Sequence, residues 1–453
     1  MPADRDIPAA RNIIVVVADS LRWDSVYGGD GPRLPYVQGH ALEFTSARSA
    51  GCWTLPATAS MFTGLLPHEH GADSQTRGLS RDIPTLAGRL RAAGYSTHQV
   101  TANVATTGIF GLDNGFDEVV SIWKEVPAAH RKLHEVMLVV GKPRLRRRVL
   151  STDWIRGGLS EDIEAGKVWL QDTIGDVFDR ARQILAQNER RGRPSFLFLN
   201  LMETHFPYHV SDILAPLAGG VKGARELLGL YHVVNQTFMR TGEQPVSPSM
   251  LRHIKSRQRV AWERIAPQVD AFCQEQHQGS DNLVVLGSDH GDCFGEEDWV
   301  YHFANVSDGG NRVPLFWLNP GRSAPTQVDH PVSARHLYRS VLGAVGLPHE
   351  GADPVNDPED TLTVLESCWY NCQGATLPKF KYNQLCFVNN DMRYMRRDGA
   401  WYSAAVSTLQ GEAPFARVAP RVDPVAELPL PADHRTRLRR LITDFEAFSS
   451  RIS

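Results

Sequence analysis

The chain has 453 residues, of which 42% are hydrophobic and 22% charged, values typical of a folded protein with one large domain or two unequal ones. Its 48 basic and 51 acidic residues give a formal charge of −3, so bulk charge favours neither nucleic acid nor an anionic membrane. No apolar run approaches the roughly 20 residues of a membrane span, and the polar N-terminal stretch lacks the pattern of a signal peptide. We therefore expect no nucleic-acid or membrane partner and a cytoplasmic location, with the six scattered cysteines as reduced thiols.

Buried strands alternate with helices along the first 350 residues. The predicted strands are Ile13–Ala18, 95–101, 196–202, 282–288 and 312–318. The predicted helices begin near Thr54, span 81–94 and 165–187, pass through Trp262 and Phe272 with a kink at Pro267, and follow a capping Ser333. This alternation predicts an α/β fold, with a large, mainly parallel sheet sandwiched by helices over residues 10–358. Residues 122–164 and 210–250 lack clean periods, and we interpret both as insertions.

The pattern changes beyond about residue 360. Residues 392–402 indicate an antiparallel hairpin that turns at Asp398-Gly399. Apolar residues at 438, 441, 442, 445 and 448 then have the spacing of a surface helix. We predict a small C-terminal α+β subdomain over residues 359–453.

Thr54 stands where a loop turns into a helix. Pro56 suits the position of first helical residue, since its missing N–H costs nothing there, and Gly64 suits the helix end. Thr54 is thus expected at or near the N-cap, facing unpaired backbone N–H groups that attract phosphate- or sulfate-like anions. For an isolated threonine, simple helix capping would be the ordinary interpretation.

Polar residues that can bind a metal or an anion follow four predicted strands. They are Asp19, Asn103, His205 and the pair Asp289-His290. The carboxyl ends of parallel strands share one edge of a sheet, so these residues are expected to form one site with Thr54. Two carboxylates and an imidazole suit a divalent cation such as Mn²⁺, Zn²⁺, Mg²⁺ or Ca²⁺. A hydroxyl beside such a cation loses its proton more easily, which would make Thr54 a nucleophile toward phosphorus or sulfur.

These stretches resemble the sulfatase family of the alkaline phosphatase superfamily. Asp19-Ser-Leu-Arg-Trp-Asp24 is similar to the family's opening motif, and residues 54–64 with Pro67-His-Glu-His-Gly71 resemble its nucleophile motif. Counterparts of residues 111–117, 205–208, 288–296 and 312–315 follow in the family's order. The resemblance covers roughly residues 10–350 and implies an alkaline-phosphatase/sulfatase-like fold.

The resemblance also implies residue roles. Asp19, Asp289 and His290 would bind the metal, and Thr54 would contact it from the nucleophile position. His205 matches a histidine that contacts the anion or the leaving group, and His302 lies where relatives often carry a substrate-binding lysine or histidine. Asn103 is a further candidate for an anion contact.

The chain departs from the formylglycine sulfatases at three positions. Their modified cysteine corresponds to Thr54, whereas Cys52 is out of register; Thr58 replaces their arginine, and Ser20 their second aspartate. Threonine cannot become formylglycine, whose hydrate expels sulfate by elimination. A phosphorylated threonine can instead be hydrolysed by in-line attack of water.

The sequence therefore predicts a metal-dependent hydrolase that cleaves small anionic phosphate or phosphonate esters through Thr54. The alternatives are a sulfatase without formylglycine, a phospho- or sulfo-group transferase, and a non-catalytic binding protein. The last would be expected to have lost its ligands, whereas Asp19, Thr54, Asp289 and His290 are all present.

Overall fold

A computed structural model describes most of the chain. The described residues are 12–28, 34–73, 76, 78–122, 173–206, 208, 237–302, 304–320, 324–351, 353, 355, 363–367, 376–377, 383–419, 422–427 and 432–451. Most of both predicted insertions, and the first part of the helix predicted over 165–187, lie outside these residues.

A sheet of eight strands forms the centre of the larger part of the fold. Its strands are β1 (Ile13–Ala18), β2 (Leu42–Phe44), β4 (Ser96–Thr101), β5 (Glu118–Ser121), β6 (Ser195–Leu201), β7 (Leu283–Gly287), β10 (Leu315–Leu318) and β11 (Thr326–Val328). They lie in the order β11-β2-β10-β7-β1-β6-β4-β5. All neighbours are parallel except β10, which is antiparallel to both β7 and β2. The predicted large, mainly parallel sheet is confirmed.

Helices cover both faces of this sheet. They are α1 (Trp23–Tyr27), α2 (Pro35–His40), α3 (Thr54–Thr63), α4 (Pro67–His70), α5 (Leu86–Ala92), α6 (Ile174–Arg190), α7 (Pro248–His277), α8 (Asp308–Asn311) and α9 (Leu337–Ala344). Ile14, Val16 and Ala18 of β1 pack in the core cluster that contains α6 and α7. Ile13, Val15 and Val17 point to the opposite cluster, which contains α3, α5 and α9. Because successive side chains of a strand alternate between faces, a strand covered on both sides is apolar throughout.

A second, antiparallel sheet follows. Its strands are β13 (Thr363–Ser367), β14 (Gln384–Asn389), β15 (Met392–Arg397), β16 (Ala400–Ala405) and β17 (Ala416–Arg417), paired in chain order. The predicted hairpin turn at Asp398-Gly399 joins β15 to β16. The short helix α10 (Pro424–Glu427) and the long helix α11 (Ala432–Arg451) complete this small α+β subdomain. Its core includes Ala50 and Leu66, which flank α3 on either side.

Short strand pairs complete the described fold. They are β3 (Ala47–Arg48) with β12 (Val332–Ser333), and β8 (Cys293–Phe294) with β9 (Val300–Tyr301). The prediction that Ser333 caps α9 is wrong, because a 3-10 turn over Ala334–His336 separates them and the Ser333 hydroxyl makes no capping hydrogen bond. Helix α7 runs through Pro267 without ending there.

Candidate active site

The sheet gathers the predicted polar residues at one edge. Strand β1 lies between β6 and β7, so the residues that follow these three strands meet at their carboxyl ends. Asp19 directly follows β1, and Asp289 and His290 come after β7. All three side chains are fully buried, and one ligand atom from each lies within 4.8 Å of the others. The structure therefore brings together the predicted metal ligands.

Two asparagines hold the Asp19 carboxylate. Asn103 Nδ2 donates to Asp19 Oδ2 at 2.7 Å, and Asn200 Nδ2 donates to the same oxygen at 3.1 Å. The other oxygen, Oδ1, accepts a weaker 3.2 Å hydrogen bond from the Ser20 hydroxyl and lies 3.8 Å from His290 Nε2. The hydrogen bonds thus orient Oδ1 toward the cluster.

Asp289 and His290 are oriented by backbone groups. Asp289 Oδ1 accepts hydrogen bonds from the N–H groups of Ser20 and His290, at 3.1 and 2.9 Å. Asp289 Oδ2 is buried without a hydrogen-bond partner among the described residues and lies 3.4 Å from His290 Nε2. His290 Nδ1 lies 2.9 Å from the Gly291 carbonyl oxygen, to which it donates, so Nε2 carries the lone pair in the neutral ring.

Helix α3 places Thr54 against this cluster. Thr54 is the first helical residue and Trp53 the N-cap, so the prediction that Pro56 begins the helix is wrong, and Pro56 is its third residue. Gly64 ends the helix as predicted, with φ of 73°. Thr54 Oγ1 lies 3.2 Å from His290 Nε2. The side chain is buried, so its hydroxyl faces the ligand atoms in a site largely closed to water.

The pKa values of the two carboxyl groups shift in opposite directions. Burial and the negative charge of Asp19 raise the pKa of Asp289 well above its ordinary value. Burial would also raise the pKa of Asp19, but His205, His290 and the two asparagines outweigh it and lower that pKa. Two buried carboxylates that face one imidazole nitrogen repel each other unless a cation lies between them.

His205 and His302 lie beside this cluster. The ring of His302 is centred 4.5 Å from that of His290 and 5.2 Å from that of His205. His302 is buried, and burial together with the charges of His290 and His205 lowers its pKa well below the ordinary value. His205 is half-buried, and its Nδ1 lies 2.7 Å from the Phe206 carbonyl oxygen. The two predicted substrate-contacting histidines are thus adjacent in space.

Asn103 has a different environment from the one predicted. We expected it to contact the bound anion, but its amide nitrogen is engaged by Asp19 and its carbonyl oxygen accepts from the Ala105 N–H at 2.8 Å. In the structure, Asn103 therefore orients a carboxylate. Three further residues were not predicted as functional: Asn200, Ser20 and Asp292. Asn200 has a detectable signal, because it interrupts the apolar run of β6.

Within the nucleophile motif, the positions that depart from the formylglycine sulfatases are buried near the start of α3. Burial raises the pKa of the Cys52 thiol to about 11, and hydrogen bonds to Ser367 and backbone lower it by less. Cys52 packs in the core cluster that contains α3, α5 and α9, whereas Thr54 Oγ1 lies against His290. Thr58 lies one turn after Thr54 and is fully buried.

Comparisons with known proteins bear on the family and the fold. The family model described as Sulfatase matches residues 11–227. The match covers just under half of the chain, so the chain is similar to the sulfatase family over that part. Arylsulfatase K of Danio rerio is 24% identical to this chain over 371 residues, and Arylsulfatase K of Homo sapiens is 22% identical over 372. Each alignment covers 75% of the chain but only 65% and 64% of the relative, so the chain spans just under two thirds of their length.

Solved structures show the same fold. The phosphonate monoester hydrolase of Agrobacterium radiobacter superposes with a TM-score of 0.62 at 17% identity, covering 96% of both chains. The lipoteichoic acid synthase LtaP of Listeria monocytogenes gives 0.58 at 13% identity, covering 98% of this chain and 93% of that one. The fold is alkaline-phosphatase/sulfatase-like. Within the described residues, no helix has both the length and the apolarity needed to cross a membrane.

Proposed function

We propose that this chain is a metal-dependent hydrolase of small phosphate or phosphonate esters that uses Thr54 as its nucleophile. One observation carries the proposal: Thr54 Oγ1 lies 3.2 Å from His290 Nε2, within the same buried cluster as Asp19 and Asp289. A hydroxyl that only capped a helix would have no reason to face two carboxylates and an imidazole.

The donor set fits a divalent cation. Asp289 Oδ2 is buried without a partner among the described residues, and Asp19 Oδ1 and His290 Nε2 face it. Carboxylate oxygens and an imidazole nitrogen are ligands for Mn²⁺, Zn²⁺, Mg²⁺ or Ca²⁺, with the nitrogen favouring the first two. Asp19, Asp289, His290 and Thr54 would hold the ion. When bound, it would neutralise the carboxylates and lower the pKa of a contacting hydroxyl.

The chain's own residues then account for each chemical step. Thr54 Oγ attacks phosphorus and passes its proton to the imidazole of His205 or His302, and the same imidazole gives that proton to the ester oxygen as it departs. Water next attacks the phosphorylated Thr54, which regenerates the hydroxyl and releases the anion. The N-terminal turn of α3 favours the negative charge on the transferring group.

The identity of the nucleophile favours phosphorus over sulfur. A formylglycine hydrate can eliminate sulfate through its second hydroxyl, without attack on sulfur. Threonine has a single hydroxyl, so a sulfated Thr54 would require water to attack sulfur directly. Attack of water on a phosphorylated threonine is the easier of these two routes.

Two alternatives rest on particular relatives. The similarity to Arylsulfatase K favours hydrolysis of sulfuric esters, and the structural similarity to a lipoteichoic acid synthase favours transfer of the group to an alcohol. Four substrates that share one aryl leaving group separate these functions: a sulfate ester, a phosphate monoester, a phosphodiester and a phosphonate monoester. Each substrate is assayed with metal-free protein and after adding Mn²⁺, Zn²⁺, Mg²⁺ or Ca²⁺, with and without glycerol as an acceptor.

We expect metal-dependent release of the aryl alcohol from phosphate or phosphonate esters, with sulfate the poorest substrate. Preferred hydrolysis of the sulfate ester would favour the sulfatase alternative, and a glyceryl product the transferase. The absence of metal-dependent turnover on all four substrates would contradict the proposed activity.

A further inference from the structure

Asp292 lies at the centre of a buried hydrogen-bonded group beside the metal cluster. Its Oδ1 lies 2.8 Å from His302 Nδ1. Its Oδ2 accepts a 2.8 Å hydrogen bond from the Tyr208 hydroxyl and a weaker one, at 3.4 Å, from Gln258 Nε2. Asp292 is fully buried, and His302, Tyr208 and Gln258 are nearly so. The carboxylate thus joins three segments that are distant in sequence.

The main chain around Asp292 is also fixed. Arg22 Nη1 donates to the Asp292 carbonyl oxygen at 2.6 Å, and Arg22 itself is held by Asp24 and Glu296. Gly291, between His290 and Asp292, leaves no room for a side chain, because a Cβ would lie 2.3 Å from the Gly309 carbonyl oxygen. The two residues that flank Gly291 face neighbouring groups: His290 faces the metal cluster, and Asp292 faces His302.

We infer that Asp292 is a positioning residue that orients the His302 ring and fixes the hydrogen of its neutral form on Nδ1. A carboxylate that accepts a hydrogen bond from one ring nitrogen selects the tautomer with the proton on that nitrogen. The other nitrogen, Nε2, then carries the lone pair, so it can take up the proton that Thr54 loses and return it to the departing ester oxygen. The Asp292–His302 pair thus has the relation of an orienting carboxylate to a catalytic imidazole. The inference rests on the proposed function, in which His302 assists the leaving group.

A second metal ion is the competing interpretation, because His290, Asp292 and His302 also have ligand atoms within 4.8 Å of one another. The hydrogen bonds argue against it. His290 presents Nε2 to Thr54 and the two carboxylates, and its Nδ1 is engaged by the Gly291 carbonyl oxygen. Asp292 Oδ1 and His302 Nδ1 are already at hydrogen-bonding distance from each other. Two residues that satisfy each other make a poor cation site.

The backbone of the surrounding segments supports a dedicated arrangement. Tyr208 and Tyr301, the latter next to His302, both have left-handed φ values, of 54° and 68°. Bulky residues rarely adopt this conformation, and such strain concentrates at functional sites. The rings of Tyr208, Tyr301 and Phe206 pack together and close this side of the Asp292–His302 pair.

Asp292→Asn tests the inference, because it keeps the shape of the side chain and removes the charge. The first measurement is long-range ¹H–¹⁵N NMR of the metal-loaded protein labelled in histidine, with His302→Gln used to assign the His302 signals. We expect the neutral ring of the wild-type protein to carry its proton on Nδ1. We expect Asp292→Asn to populate the Nε2–H form. This reading requires no turnover, so it remains decisive if the proposed activity fails.

The second measurement compares aryl esters whose leaving groups range from nitrophenolate to phenolate. Lost proton delivery should lower kcat about a hundredfold or more for phenolate and under about tenfold for nitrophenolate. Asp270→Asn is the matched control, since Asp270 is also buried but, among the described residues, accepts hydrogen bonds from the backbone N–H groups of Tyr36 and Val37. It should lower stability without changing the leaving-group dependence or the His302 tautomer.

Three results would overturn the inference. The first is a wild-type His302 with its neutral proton on Nε2, which can be read even if Asp292→Asn does not fold. The second is an Asp292→Asn variant whose activity falls equally for all leaving groups. The third is loss of one metal equivalent from the folded Asp292→Asn protein, which would identify a second cation site.

Discussion

Similar polar residues lie at the amino ends and at the carboxyl ends of the central strands, here called the amino edge and the carboxyl edge. At the amino edge these residues pair with one another, whereas at the carboxyl edge two carboxylates face each other. At the amino ends of the strands, Asn12 bonds Asn282 and the Ser195 N–H. Nearby, His98 contacts Ser96, Asn188 and Glu118, at 2.9, 3.1 and 3.1 Å. At the carboxyl ends, Asp19 and Asp289 face one imidazole nitrogen, and one carboxylate oxygen is buried without a partner among the described residues.

The difference shows how a structural cluster can be told from a functional one. At the amino edge, the donors and acceptors named above satisfy one another, so burial has a low cost. At the carboxyl edge, like charges are brought together at a free-energy cost that a bound cation would offset. Residue type does not separate the two edges, since both contain a histidine, a hydroxyl, an asparagine and an acid.

The largest expected effect is at Thr54. Thr54→Ala should lower hydrolysis of aryl phosphate or phosphonate esters by at least about a thousandfold, because the nucleophile is lost. Metal binding should persist, since Asp19, Asp289 and His290 remain. The measurements are kcat/KM and metal content of the dialysed protein. Cys52→Ala is the control and should keep most of the activity; unchanged activity of Thr54→Ala would contradict its role.

Asp289→Asn should separate stability from function. It removes one of two like charges, and the new amide can donate toward Asp19, so metal-free protein should gain about 1 to 2 kcal/mol of unfolding free energy. Metal affinity and activity should fall sharply. The measurement is chemical denaturation with and without metal.

Asp24→Asn is the control for this prediction, because it removes a buried carboxylate whose neighbours are cations. Asp24 pairs with Arg22 and Lys255, at 2.8 and 2.6 Å, and these cations lower its pKa despite its burial. Its substitution should therefore destabilise the protein. A metal-free Asp289→Asn protein that is also less stable than the wild type would contradict the unfavourable pairing of Asp19 with Asp289.

At the amino edge, His98→Ala should lower stability and leave activity nearly unchanged, the reverse of the result expected for Asp289→Asn. It leaves buried groups of Ser96 and Asn188 without their partner, at a cost of about 2 kcal/mol of unfolding free energy. The site lies at the other end of the strands, so kcat of the folded variant should stay within about twofold of the wild type. Denaturation and steady-state kinetics on the same preparation check both parts. A large fall in kcat with stability unchanged would make the amino edge a functional site.

The smallest expected effect concerns the junction of the two sheets. His68 Nδ1 lies 2.6 Å from Glu366 Oε1 in β13. Burial lowers the pKa of His68, but the hydrogen bond and charge of Glu366 outweigh it and raise that pKa overall. The folded protein thus binds this proton more tightly than the unfolded chain does.

The stabilisation from this pair is therefore fully present below the unfolded pKa of about 6.5 and is lost as pH rises through the folded pKa. Unfolding free energies measured from pH 5 to 9 should fall by about 1 kcal/mol over that interval in the wild type relative to His68→Gln. The two proteins should converge at high pH. A constant difference between them would show that His68 contributes through packing alone.

The sequence determined the elements that carry the site. The apolar run of β1 and the residues after β1, β6 and β7 specify a parallel sheet with ligands at one edge, because parallel strands place their carboxyl ends together. Thr54, Pro56 and Gly64 mark the start and end of α3, since each has a local backbone preference. These signals are local, so they can be read without the fold.

Only the tertiary structure decided which polar group faces which. Asn103 follows a strand as the ligands do, but its position across the edge gives it Asp19 as a partner. Asp292 belongs to the same short polar stretch after β7 as Asp289 and His290, but its side chain hydrogen-bonds to His302 and not to the metal cluster. His98 is a buried histidine like His290 and His302, but it lies near the amino ends of the strands, at the opposite end of the sheet from the site. Hydrogen-bond partners distant in the chain depend on the strand order and on the packing of the long helix, which no local pattern encodes.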